Sequence, residues 1–377
     1  MAAIGDAGDD RETPAMRATN LRILEIGDRH FFKPGLPDNT VLLWTSHRHP
    51  PDAAITDYVW FGPRAIPFLV RALRRGSFDL IVVHAPSYAP LGLRWILRLI
   101  GRQPWRFPAA LLSGTAPLFL HLPTRTPIAV LDHEDPPVIE RHNFWLLTKC
   151  RRYFKRELPA DAWKAFHRTA HPRLPTPRLR RSPRWRRLVD KLRPISLGLT
   201  PATAALLPPP AEKTVDLFFA GTAESIGTVR DRGLVQLARL AEAGVKVDVA
   251  SGRLPLEEYL ARCARAWLTW SPEGLGWDCF RHYEAAACGS VPLINQPSIL
   301  RHAPLLDGVH CFFYEIEGNG LQRTVRRALA DKDALRRMAE AARAHVLQCH
   351  DRAALCRYVI ESCLGAEGTE SLAAPLG

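Results

Sequence analysis

The sequence predicts an α/β protein built from two parallel-sheet halves facing a cleft. Short β-rich apolar runs alternate with amphipathic helical stretches, which is the pattern of βαβ units. The alternation lapses once, near the middle of the chain, and then resumes. A length of 377 residues also fits two domains of ordinary size.

Residues 1–20 read as a flexible, polar leader. Residues 21–27 (LRILEIG) alternate and end in glycine, the mark of a first strand. VLLW at 41–44, FDLIVVH at 78–84 and PIAVL at 127–131 follow as strands, with helical stretches at 65–75 and 93–100. Together, residues 21–149 form an N-terminal Rossmann-like domain. From 150 to 210 prolines and arginines crowd the chain, and only 160–169 and 185–192 look helical, so this stretch is expected to be a connecting segment. The rhythm resumes with a strand at 215–221, a helix at 229–243, a strand at 245–250 and a helix at 256–264. A strand at 266–270, a helix near 279–288 and a strand at 291–295 continue it, and the chain is helical from about 321 to 364. Residues 211–365 form the second Rossmann-like domain, and 366–377 a flexible tail. The two halves share no internal repeat.

Composition narrows the classes. Hydrophobic residues make up 47% and charged residues 24%, so the chain has a full core and is not disordered. Its start is acidic and polar with no apolar run, unlike a secretory signal peptide. The uncharged stretches 107–124 and 194–211 are each broken by prolines, which argues against membrane spans. Eight cysteines contain no C-x-x-C pair, and a reducing cytoplasm is the expected location, with contact on the inner face of the membrane left open. Cys349, Cys356 and Cys363 recur every seven residues and are read as a core stripe on one helix.

The formal charge is +13, carried by 51 Lys and Arg against 38 Asp and Glu. Residues 151–193 alone hold 15 basic and 3 acidic side chains, so this one segment accounts for +12. It reads either as a solvated arm or as a dock for an acidic or lipid-phosphate acceptor or the anionic membrane that carries it. The charge also raises a second function class, a nucleic-acid or anionic-surface binding protein on an α/β scaffold. No DNA- or RNA-binding signature supports specific nucleic-acid recognition.

The string carrying chemistry runs from Ser271 to Ile294: strand, glycine-bearing turn, helix, strand. Gly274 and Gly276 permit close backbone approach, and the helix that follows aims its free N–H groups at the turn, an arrangement suited to a diphosphate. Glu273 precedes the turn; Arg281 and Glu284 lie one helical turn apart on one face. Ordinary turn chemistry and a surface ion pair are the bland alternatives for these pieces taken singly.

This string resembles the C-terminal domain of GT-B glycosyltransferases of the "glycosyl transferases group 1" type. Glu273-Gly-Leu-Gly276 matches the family's acidic residue and Gly-x-Gly turn, and Glu284-Ala…Cys288-Gly-Ser-Val-Pro-Leu-Ile294 its helix and strand. Ten residues separate the two glutamates where the family has seven, and Trp277-Asp-Cys-Phe-Arg-His-Tyr283 is closer to exostosin-like variants. The resemblance implies a GT-B-like fold and a metal-independent glycosyltransferase with no cofactor, using a nucleotide-diphosphate sugar as co-substrate. Glu284 would bind the donor's ribose; Glu273, a catalytic candidate, would hold the sugar together with Gly274 and Gly276. Gly221, Arg230, Arg232 and Arg281 would face the diphosphate. The two-glutamate arrangement favours retention over inversion, and the acceptor would belong to a bacterial-type glycan, glycolipid or other glycoconjugate. A catalytically silent scaffold of the same fold is the remaining alternative.

The first half would then present the acceptor. Titratable groups follow three strand ends: Asp28 and His30 after Gly27, His84 after a buried run, and Asp132, His133 and Glu134 after another. His84 and Asp132 are the catalytic candidates, because deprotonating an acceptor hydroxyl needs an imidazole or carboxylate. Asp28, His30, His133 and Glu134 are assigned to the acceptor side. Adjacent residues cannot all face one ion, so no metal site is expected.

Overall fold

A computed structural model describes residues 21–46, 48–52, 55–87, 92, 96–97, 115–171, 174–179, 183–221, 228–250 and 252–365. The leader at 1–20, the tail at 366–377, most of the helix expected at 93–100, and Thr222 lie outside the described residues.

The first half holds β1 (Ile23–Gly27), β2 (Thr40–Trp44), β3 (Val59–Trp60), α1 (Ile66–Arg75), β4 (Leu80–His84), β5 (Ile128–Asp132), α2 (Phe144–Lys149) and β6 (Arg152–Lys155). A hairpin of β7 (His167–His171) and β8 (Leu174–Leu179), then α3 (Pro183–Val189) and β9 (Leu192–Pro194), complete it. After α4 (Pro201–Ala205), the second half contains β10 (Val215–Phe219), α5 (Thr228–Glu242), β11 (Val247–Val249), α6 (Leu256–Arg265) and β12 (Ala266–Trp270). It continues with α7 (Phe280–Ala287), β13 (Val291–Asn295), β14 (Phe312–Tyr314), α8 (Gly320–Leu329), α9 (Lys332–Cys349) and α10 (Arg352–Leu364).

The first sheet is parallel with order β3-β2-β1-β4-β5-β6-β9, and the second is parallel with order β11-β10-β12-β13-β14. Both are Rossmann-like, as the alternation predicts. The strand order reverses between β1 and β4 in the first sheet and between β10 and β12 in the second; at such points the loops diverge and leave a crevice outside the carboxyl ends. Strands β1, β4, β5 and β13 are buried over their whole length, which explains their unbroken apolar runs.

Two boundaries differ from the sequence reading. Residues 150–210 are not an irregular connection: they supply β6 and β9 to the first sheet. Part of the basic charge is folded into that sheet, with Lys155 fully buried against Asp132 (Nζ to Oδ1, 3.0 Å) and Arg156 paired with Asp135 and Glu157. Proline and arginine density hid two strands of four and three residues, too short for a periodic signal. The expected helix at 160–169 is a 3₁₀ segment, Ala162–Phe166, running into β7.

The second difference lies at the end of the chain. His350 and Asp351 break the helix, and Asp351 caps α10 by accepting the Ala354 N–H. Helix α10 then packs on the first half: Leu355, Cys356, Val359, Ile360 and Cys363 join Ile23, Leu80, Val82, Leu131 and Phe154 in one buried cluster. Cys356 and Cys363 are therefore core residues of the first half, while Cys349 is half-buried on a different helix.

The chain passes between the halves at 195–200 and again at 350–351. The two crossings are bonded together: His350 Nδ1 accepts from Ser196 Oγ at 2.9 Å, and the Leu199 N–H donates to the His350 carbonyl at 2.8 Å. His350 Nε2 donates to the Ala303 carbonyl at 2.7 Å. Burial pushes this imidazole down to about 3 from its ordinary 6.5. Below pH 6.5 the unfolded chain takes up a proton that the folded chain refuses until about pH 3. Stability should therefore fall as the pH drops through that window, by about 1.4 kcal/mol per pH unit for this one group. Urea unfolding at pH 7, 6 and 5 checks it: His350→Gln should flatten the decline by that amount, and an unchanged slope would exclude His350 as its source.

Candidate functional site

In the second half, the carboxyl ends of β10 and β12 flank the point where strand order reverses, and Arg281 from the first turn of α7 spans it. Its Nε donates to the Ala220 carbonyl at 3.1 Å and Nη1 to Pro272 at 3.4 Å, while the guanidinium lies 5.3 Å from the Phe219 ring centroid. Gly221 makes room: a Cβ there would lie 2.9 Å from Arg281 Nη2. Arg230, at the start of α5, donates from Nε to the Glu273 carbonyl at 3.3 Å. Burial and then the Arg281 charge lower the Arg230 pKa, so two guanidiniums are held close enough to repel. Arg232 points elsewhere, into a surface ion pair with Glu317.

The turn itself is tight, with the Gly274 N–H donating to the Gly276 carbonyl at 2.9 Å. Gly274 faces Arg230. Gly276 faces the first half instead, where a Cβ would sit 2.5 Å from the Glu157 carboxyl. Glu273 is fixed by Asn295 at the end of β13: its N–H donates to Asn295 Oδ1 (2.9 Å), and Asn295 Nδ2 donates to its Oε2 (3.0 Å). Glu284 sits one turn after Arg281. Burial raises its pKa, opposed by Arg281 and by the hydroxyls of Tyr259 and Thr203. A carboxylate among hydroxyls, beside Arg281 and with Arg230 across the turn, matches a ligand that carries both hydroxyl groups and phosphate.

In the first half, the corresponding reversal falls between β1 and β4, and there the sequence reading missed a residue. Glu25, in the middle of β1, is fully buried. Its Oε1 accepts from the Phe31 and Phe32 N–H groups (2.6 and 3.0 Å) and its Oε2 from Lys33 (2.8 Å). His84 Nε2 donates to Oε1 at 2.8 Å. Burial alone would raise the Glu25 pKa, but His84 and these N–H groups outweigh it and lower it. An ionised carboxylate only accepts, so His84 Nε2 carries a proton; Nδ1 is buried with no hydrogen-bond partner among the described residues. Gly27 is required by this ring, because a Cβ there would lie 2.7 Å from His84 Cβ and Cδ2. The missed signal was a single acidic residue inside the apolar run LRILEIG.

His133 stacks on Phe31 at 5.0 Å, with its ring centroid 6.3 Å from that of His84. Burial, then the His84 and Arg352 charges, hold its pKa well below 6.5, so it is neutral near pH 7. Burial also lowers His30, whose Nε2 lies 3.8 Å from Asp52. Arg352, the first residue of α10, lies 4.0 Å over the Phe31 ring and brings the end of the chain to this cluster. Asp132 is committed inward, accepting from Tyr153 (2.8 Å), Lys155 (3.0 Å) and the Glu134 N–H (3.1 Å). Glu134 pairs with Arg29 and accepts from Ser87 at 2.8 Å, and Asp28 is exposed. The structure thus gathers His30, His84 and His133, and turns Asp132 into the protein.

The two sheets' carboxyl ends meet at Glu157, which follows β6. Its Oε2 accepts from the Trp277 N–H and its Oε1 from the Asp278 N–H, both at 2.9 Å. The Leu300 N–H donates to Leu158 at 2.7 Å beside it. Just past this joint, Cys279 lies 3.6 Å from both ring nitrogens of His282, whose Nδ1 is 2.7 Å from Ser271 Oγ. Burial opposes the Cys279 thiolate, but His282, Arg281 and Ser271 outweigh it and bring the thiol down to about 7.

Residues 240–360 match the model of a family described as "Glycosyl transferase-like". No curated protein matches the sequence. Among solved structures, the chain is similar to a sucrose-phosphate synthase from Thermosynechococcus elongatus (13% identity, 89% of this chain and 97% of that one, TM-score 0.48). It is also similar to HepE of Anabaena in complex with UDP (12% identity, 91% and 99%, TM-score 0.49). A third is AviGT4, a glycosyltransferase involved in avilamycin A biosynthesis (12% identity, 91% and 96%, TM-score 0.45).

The Cys279 environment gives a direct test. Iodoacetamide labelling followed by mass spectrometry should modify Cys279 with a midpoint near pH 7, while Cys150, Cys311 and Cys363, each pushed up to about 12 by burial, stay unlabelled in the folded protein. His282→Gln should move the midpoint upward. Labelling that begins only above pH 8.5 would refute the thiolate assignment.

Proposed function

We propose that the chain is a GT-B-type glycosyltransferase that moves a sugar from a nucleotide-diphosphate donor on its second half to a hydroxyl of an acceptor held by its first half. The supporting observation is the Arg230–Arg281 pair, set beside the glycine turn and Glu284 at the strand-order reversal of the matched half. The diphosphate oxygens lie between the guanidiniums, and Glu284 accepts from the ribose hydroxyls. Glu273, clamped by Asn295, orients the donor sugar.

In transfer, the bond between the anomeric carbon and the diphosphate breaks and a bond to the acceptor oxygen forms. Negative charge grows on the departing nucleotide diphosphate, and Arg230 and Arg281 stabilise it without reorganising. They supply the positive charge that a divalent cation supplies in metal-assisted departure, so the proposed reaction is metal-independent. His84 Nδ1 accepts the hydrogen bond, and finally the proton, of the acceptor hydroxyl; Glu25 fixes its tautomer and stabilises the imidazolium. Asp132 acts by positioning Lys155 and the Glu134 backbone, away from the reacting atoms. No helix among the described residues is long and apolar enough to cross a membrane, and we place the enzyme in the cytoplasm.

Calorimetry against UDP-, GDP- and dTDP-sugars identifies the donor. With that donor, Arg281→Ala and Glu284→Gln should each weaken binding roughly 10- to 100-fold. Full affinity in both variants would place the donor elsewhere. Glu25→Gln should leave donor affinity intact and lower turnover by about 10²-fold or more; turnover at the parent rate would remove His84 from the mechanism. The anomeric signal of the product gives the stereochemical course. The two-glutamate arrangement favours retention, whereas an inverted product would mean a single displacement.

A further inference from the structure

A second cationic site lies at the opposite end of the first sheet. The loops entering β5, β6 and β9, with the last turn of α10, enclose a cavity of about 760 Å³. Arg125, Lys149, Arg151, Arg152 and Lys191 line it, and no carboxylate does. These loops lead into the amino ends of parallel strands, and the carboxyl end of β5 carries Asp132 beside the His84 end of its neighbour β4. A strand length of roughly 15 Å therefore separates the cavity from the cleft.

Three of the five cations are held by carbonyls, and no ion pair among the described residues neutralises any of them. Lys191 Nζ donates to the Leu147 and Thr148 carbonyls (3.0 and 3.3 Å) and Lys149 Nζ to that of His121 (3.4 Å). Arg152 Nε donates to the Ser362 carbonyl (3.1 Å) and Nη1 to Asp190 (3.2 Å). These acceptors are neutral, and no ion pair among the described residues involves any of the five. At the cleft end of the same sheet the opposite holds, with Lys155 on Asp132, Arg29 on Glu134 and Arg156 on Asp135. Arg152 is also strained electrostatically: burial, then Arg193 and Arg151, lower its pKa. Like charges gathered in a concavity and fixed by backbone carbonyls are preorganised for an anion.

We propose that this cavity is a binding site for a phosphate-bearing anion, separate from the donor diphosphate and remote from the reacting atoms. The volume admits more than one phosphate group, and the mixture of guanidinium and ammonium donors suits phosphate monoesters and diphosphates. Such a group can belong to a soluble polyphosphate or to the headgroup of an anionic lipid.

The test uses the full chain carrying Arg281→Ala, so that the donor side does not contribute. Two probes are measured at low salt: inorganic pyrophosphate by calorimetry, and sedimentation with vesicles of phosphatidylcholine containing phosphatidic acid against phosphatidylcholine alone. Changing Lys149 and Arg151 together to Gln should weaken binding of at least one probe roughly 10-fold or more. Removing the same charge from the second half, with Arg239→Gln and Arg326→Gln, should leave it within about 2-fold. Binding of pyrophosphate alone points to a soluble ligand, and binding of acidic vesicles alone to a lipid; either supports the site. No binding of either probe, no effect of the cavity substitutions, or an equal effect of the control substitutions would overturn it.

Discussion

The buried carboxylate of Glu157 holds the carboxyl ends of the two sheets together. It leaves the first sheet at the end of β6 and accepts both N–H groups of the peptide stretch that follows the glycine turn. Burial and the neighbouring Asp278 favour its neutral form, while Arg156 and the two N–H groups favour the ionised one. Removing such an acceptor would leave two buried N–H donors without partners, each costing about 1–3 kcal/mol. The same carboxylate is the reason for Gly276, since a side chain there would occupy the space of its Oε1. The turn that faces Arg230 with Gly274 is thus anchored to the first half through Gly276, and one pair of glycines serves two partners.

Both candidate sites obey the topology of their sheets. Arg281 bridges the loops after β10 and β12, and the Glu25–His84 pair joins β1 to β4, in each case where the strand order reverses. The two sites divide the chemistry by charge. The second half sets the guanidiniums of Arg230 and Arg281 against each other, close enough that each charge disfavours the other. The first half sets His84 on an ionised carboxylate and gathers beside it His30 and His133, whose charged forms burial disfavours. Under the proposed function, a charged donor and an uncharged hydroxyl would have separate, chemically matched seats.

Much of this was legible in the sequence. Central parallel strands are continuous apolar runs, so β1, β4, β5, β10, β12 and β13 stood out, and the glycine turn with Arg281 and Glu284 was placed correctly on strand, turn and helix. What escaped were features whose meaning is only spatial. Strands β6 and β9 are three or four residues long and lie among arginines and prolines. The return of α10 to the first half leaves no local trace beyond the break at His350. Glu25 and Glu157 each owe their role to partners far along the chain. Arg230 and Arg232 are alike in sequence, but their positions on α5 send one to the turn and the other to solvent.

The paired crossings have a mechanical consequence. A chain joining two bodies once leaves them free to swivel about the tether. Here two strands of backbone pass side by side at 195–200 and 350–351, and hydrogen bonds through Ser196, Leu199 and His350 lash them together. Two tethers fixed to each other act as a pin. They resist twist and sideways slip, so that any opening of the halves, like the covers of a book, turns about that pin and has to release the Glu157 bonds to Trp277 and Asp278. Arg352 sits at the very edge of that pin and already touches the ring beneath the imidazole cluster. Any opening of the covers is thereby geared to Phe31 and the His133 ring stacked on it by a lever only two residues long.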